Sequence, residues 1–135
     1  MTAATATLPD ALSLRRLLLA DAGICFLAAL LLMLGGAALE SLLGLPAMVL
    51  RALGGIILAW SLVICLAGRS AQTVRRVMPV VAAANLLWAA ASLLLLLTGL
   101  AAPGGLGGGV ILAQAAAVAG IGLLQFRALR QPLAD

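Results

Sequence analysis

The stretch LLLADAGICFLAALLLMLGGA, residues 17–37, holds one charged side chain, Asp21, in 21 positions. Its length matches the roughly 20 apolar residues that carry a helix across a hydrocarbon core about 30 Å thick. Three further runs share that character, at 47–67, 77–99 and 110–126. The whole chain of 135 residues is 65% hydrophobic and 9% charged, with a mean hydropathy of +1.27. Soluble domains are about half apolar and a quarter charged, so the composition excludes them. Backbone polar groups in lipid must be satisfied within their own segment, which makes each run a helix. The reading is a single domain over 1–135, an all-α polytopic membrane protein with four transmembrane helices in an up-down bundle.

About a dozen weakly patterned residues precede the first run and RALRQPLAD follows the last, so no extramembrane domain is expected. Arg15 and Arg16 before a Leu run resemble a twin-Arg export signal. The run is too long for a signal h-region, however, and three more spans follow in place of a secreted domain.

A net charge of +4 raises the question of nucleic acid. All eight basic residues are Arg, and seven flank the spans on one side: Arg15, Arg16, Arg69, Arg75, Arg76, Arg127 and Arg130. Arg51 stands alone on the other. Under the positive-inside rule this asymmetry predicts a multi-pass protein of the bacterial cytoplasmic (inner) membrane with both termini cytoplasmic. Nucleic acid is therefore not an expected partner; the lipid bilayer is, with a modest attraction to anionic lipid. The bias to Arg, Ala and Leu fits a GC-rich bacterial genome.

Gly44 and Pro46 separate the first two spans, Gly68 to Ser70 close the second, and Pro79 is expected in the first turn of the third. The segment PGGLGGG, 103–109, lacks a preceding strand, a G-x-G-x-x-G register and a following Lys-Ser/Thr, so it is read as a flexible non-cytoplasmic turn and not as a phosphate loop. Shifting the chain by 64 residues lays Asp21 on Asn85, Leu30–Leu32 on Leu94–Leu96, Gly35 on Gly99, Ala37–Ala38 on Ala101–Ala102, Leu42 on Leu106 and Gly44 on Gly108. Such coincidences accumulate in a Leu- and Ala-rich chain, and a parallel two-plus-two repeat stays an open reading.

Ionisable groups within a span are functional candidates because each costs a few kcal/mol unless partnered. Asp21 lies about 7–8 Å along the helix from Arg16, in the cytoplasmic quarter, with Arg127 or Gln125 in reach. Two roles compete: a protonatable or cation-binding carboxylate, and an anchor between helices. In the third span Asn85, Trp88 and Ser92 fall at i, i+3, i+7 and share one face, which suits interhelical hydrogen bonding. The Trp88 indole N–H needs an inward partner. Gln114 lies some seven residues away in depth from Asn85, so direct contact between those two is not expected. Arg51 is expected to pair with Glu40 across the first hairpin or to snorkel outward, an anion site being the sharper alternative. Gly54–Gly55, Ala116 with Gly120, and Gly122 permit close helix approach within the bundle or in a dimer.

Cys25 and Cys65 match no redox or metal spacing and read as small hydrophobes. The chain contains no His, no Tyr, no Lys and only four acids. The expectation is therefore a non-enzyme with no catalytic, cofactor or metal residues.

The segments LRRLLLADA (14–22), GLPAMVLRALG (44–54), ANLLWAAAS (84–92) and ILAQAAAVAG (111–120) together resemble a group of small four-span bacterial inner-membrane proteins that carry no assigned activity. The resemblance implies a four-helix membrane fold and points to Asp21, Arg51, Asn85, Trp88 and Gln114. Two functions are open. One is an accessory or interaction component of the inner membrane, working as a homo-oligomer or within a larger membrane complex. The other is a small transporter or channel, dimeric in one version, with Asp21 and the Asn85 face lining a polar pathway.

Overall fold

A computed structural model describes residues 11–130; the two tails expected outside the membrane lie mostly beyond these described residues. Four helices follow in order, α1 (Ala11–Leu43), α2 (Ala47–Ala67), α3 (Ala71–Leu97) and α4 (Gly105–Arg130), and all four are long and apolar enough to cross a membrane. Short connections make α1 with α2 and α3 with α4 closely packed hairpins. The two hairpins meet through α1, which touches both α3 and α4, whereas α2 and α3 share the sparsest contact.

Large apolar side chains point outward along the helices. Leu34 is 83% exposed, Leu87 73% and Leu97 84%. Exposed aliphatic surface on this scale is what lipid, and not water, accommodates, and the chain is an integral membrane protein. A hydrophobic core sits toward the end carrying the seven arginines, where Leu14, Leu18, Ala22, Ile64, Val74, Met78 and Val81 are buried together.

The helices extend beyond the apolar runs at several ends. α1 has 33 residues, about 50 Å at 1.5 Å per residue. That exceeds the hydrocarbon thickness, and Arg15 and Arg16 belong to the helix itself, before its apolar run. α3 starts at Ala71, which moves Pro79 from the expected first turn to the third. There its ring leaves the Arg75 carbonyl without the usual i+4 donor.

The largest departure from expectation is at 103–109. Gly105 to Gly109 form the first turns of α4 and not a flexible turn. Close packing accounts for glycine at two hairpin-tip positions. A Cβ at Gly107 would coincide with the Leu42 carbonyl, and one at Gly44 with the Ala102 backbone, so the two hairpin tips are seated on each other. Gly44 also has φ +66°, a left-handed conformation that closes α1 at low steric cost.

Candidate functional site

One turn of α1 is tied to every other helix. The Asp21 carboxylate oxygen Oδ2 accepts from Asn85 Nδ2 of α3 and from Gln125 Nε2 of α4, both at 2.8 Å. Asn85 Nδ2 also donates to Gln125 Oε1 at 3.1 Å, which closes a three-residue ring. One residue on, the Ala22 carbonyl accepts from Ser61 Oγ of α2 at 2.8 Å. A carboxylate in its ionised form can only accept, and both amides turn their NH2 groups to it.

The ring is sealed. Asp21 is 3% exposed, Asn85 6% and Gln125 0%. Among the described residues no buried side-chain nitrogen or oxygen lacks a partner. The second carboxylate oxygen, Oδ1, faces only the Cys25 thiol, a weak donor at 3.8 Å. Arg127, the other group placed in reach of Asp21 by sequence, is exposed, and the hydrogen bonds of the carboxylate come from amides instead.

A second cluster lies deeper along α3. Trp88 Nε1–H donates to Gln114 Oε1 at 3.1 Å, Gln114 Nε2 donates to Ser92 Oγ at 2.8 Å, and Ser92 Oγ–H returns to the Trp88 carbonyl at 2.9 Å. The polar face of α3 therefore divides: Asn85 turns to Asp21 and Gln125, while Trp88 and Ser92 share Gln114. Asn85 and Gln114 belong to separate clusters.

Arg51 joins neither cluster. It is exposed, and its side chain lies over Gly36, where a Cβ would come 3.2 Å from Arg51 Cγ. Glu40 Oε2 instead accepts from the Ala47 backbone N–H at 3.2 Å. That amide is one of the unsatisfied donors at the positive end of α2, which attracts a carboxylate. Of the glycines singled out by sequence, Gly54 packs on the Ala29 carbonyl of α1 and Gly122 on the Ala82 carbonyl of α3; Gly55 and Gly120 face open space. Cys25 is half-buried beside Asp21, and Cys65 is exposed.

Two members of the site were underweighted in the sequence. Gln125 stood only as an alternative to Arg127, although it lies 11 residues, three helical turns, from Gln114 and so shares its face. Ser61 carried a signal of its own as an isolated hydroxyl within an apolar span. The four side chains that tie this level of the bundle are Asp21, Asn85, Ser61 and Gln125. Asp21 and Asn85, like Ser61 and Gln125, are separated by 64 residues.

The arrangement is a set of interhelical hydrogen bonds with no reactive pair of groups. Neither the groove lined by Trp60, Val63, Arg76 and Val80 nor the groove beside Phe126, Arg127 and Arg130 includes Asp21 or Asn85. No family model, curated protein or solved structure matches the chain, so the functional reading rests on these residues alone.

Proposed function

We propose that the protein is a non-enzymatic accessory or interaction component of the bacterial inner membrane, with both termini cytoplasmic, in which Asp21 locks the helices that present an apolar surface to lipid and to partner helices. One observation carries this reading. The Asp21 carboxylate is buried, with Oδ2 held by Asn85 and Gln125 and Oδ1 turned to the Cys25 thiol, all within the bundle. A carboxylate that loads and releases protons or cations needs water or an open coordination position beside it. The seven arginines at one end support the orientation through the positive-inside rule.

Reconstitution in proteoliposomes tests the role of Asp21 against the transporter alternative. Asp21→Asn keeps an oxygen that can accept both amide bonds but weakens them by removing the carboxylate, since charge-assisted bonds are roughly twice as strong as neutral ones. The expected result is lower thermal stability by about 1 kcal/mol, with no proton or cation flux for either protein. Flux in the wild type that Asp21→Asn abolishes at unchanged stability would overturn the proposal and place the carboxylate in a transport pathway.

A further inference from the structure

The sparse contact between α2 and α3 leaves a furrow on the outside of the bundle, about 180 Å³ in volume. Its floor is Ile64 and Val81, both buried at 1–2% exposure. Its walls are Trp60, Val63 and Ala67 of α2 facing Arg76, Val77 and Val80 of α3. Val63 is 59% and Val80 61% exposed, so the furrow is open to the lipid side along its length.

The two ends of the furrow differ chemically. α2 and α3 run antiparallel, which brings Arg76 and Ala67 to the arginine-bearing end, while Trp60 lies seven residues, about 10 Å, further toward the middle of the membrane. Arg76 is exposed and is the one charged residue of the lining. Arg75 adjoins it, and Arg69 precedes the same helix. The acids among the described residues give no competition. Asp21 is enclosed by its amides, and Glu40 sits at the opposite end on the α2 amide.

The volume is below the roughly 300–1,000 Å³ of pockets that enclose a drug-sized molecule. An apolar furrow between exposed valines, with a guanidinium at its arginine-bearing end, suits part of an acyl chain with an anionic head. The groove of about 280 Å³ beside Arg127 and Arg130 is larger, but all its lining comes from α4, so no second helix clasps an occupant. We infer that the α2–α3 furrow is a binding site for an anionic phospholipid, with one acyl chain laid between Val63 and Val80 and the phosphate on Arg76. An Arg guanidinium matches a phosphate with paired N–H donors. The lipid fills the sparse seam between α2 and α3 and braces the two hairpins there.

Native mass spectrometry of the full chain in detergent, titrated with phosphatidylglycerol, tests the site. Phosphatidylcholine of the same acyl composition and inorganic phosphate serve as comparison ligands. One phosphatidylglycerol is expected to remain bound after delipidation, at least about tenfold more tightly than phosphatidylcholine. Arg76→Gln removes a charge-assisted hydrogen bond and should weaken it by roughly ten- to a hundredfold. Arg75→Gln, outside the furrow, removes only surface attraction and should cost about fivefold or less. Val80→Trp bulks the open side without touching the core and should also release the lipid, with thermal stability measured for each variant to confirm folding. Equal losses from Arg75→Gln and Arg76→Gln would overturn the site in favour of a diffuse basic surface. Retention by folded Val80→Trp would remove the acyl chain from the furrow. Displacement of the lipid by millimolar inorganic phosphate would show an anion site without lipid character.

Discussion

Deleting the Asp21 carboxylate isolates the contribution of the ring that joins α1, α3 and α4. Asp21→Ala removes two hydrogen bonds of 2.8 Å. Interhelical bonds in membranes average about 0.6 kcal/mol and reach about 1.7, so the pair amounts to roughly 1–3 kcal/mol. The variant also strands the Nε2 group of Gln125, which is 0% exposed and has no other acceptor at hand. An orphaned buried donor adds about 1 kcal/mol or more, and the expected destabilisation is about 2–4 kcal/mol. Reversible unfolding in mixed micelles, followed by helical circular dichroism, measures it. A double-mutant cycle of Asp21→Ala with Gln125→Leu should show a coupling energy of about 1–2 kcal/mol. The triple replacement Asp21→Leu, Asn85→Leu, Gln125→Leu should destabilise by clearly less than the sum of the three single changes, because it leaves no polar group unpaired. Coupling within about 0.3–0.5 kcal/mol of zero, the additivity error for independent sites, would refute the ring as an energetic unit. So would a triple variant as damaged as that sum.

The second cluster and the α1–α2 contact make separate predictions. Trp88→Phe keeps most of the ring burial but loses the bond to Gln114, and should cost about 1 kcal/mol; Gln114→Leu should cost less on the Trp88→Phe background than on the wild type, since only its bond to Ser92 is then left to lose, and additive losses would argue against the pairing. Gly54→Ala places a Cβ 2.7 Å from Met33 Cγ and 3.0 Å from the Ala29 carbonyl, whereas the same change at Gly55 meets nothing within 4 Å. The first should destabilise by about 1–3 kcal/mol and the second should be neutral or stabilising by up to about 1. Thermal scans of the two alanine variants check this, and equal effects would contradict the packing of Gly54 against α1 with Gly55 in open space.

How much was legible follows from the range of each interaction. Hydrophobicity integrated over 20 residues needs no knowledge of neighbours, because crossing lipid is a property of each segment alone. For that reason the four helices and the all-α fold are written in composition. Their ends are less legible: Arg15 and Arg75 lie before the apolar runs, yet α1 and α3 already include them, because a charged residue at a helix end can be solvated without breaking the helix. The glycines of 105–109 read locally as a loop. In the fold they begin α4, and Gly107 stands where the Leu42 carbonyl leaves no room for a side chain.

Site residues divide the same way. That Asp21, Asn85, Trp88 and Gln114 require partners follows from the cost of an unpaired polar group in lipid, a property each carries wherever it points. Which partner each one takes depends on helix rotation and axial register, which no single helix determines. The bundle gave Asp21 two neutral amides in place of Arg127, gave Glu40 the α2 amide in place of Arg51, and divided one polar face of α3 between two clusters. By itself the sequence determined which segments enter the membrane and which side chains cannot be left alone there. Tertiary structure alone decided that Asp21 would meet Asn85, because only packing the two hairpins against each other sets the rotation and register of α1 against α3.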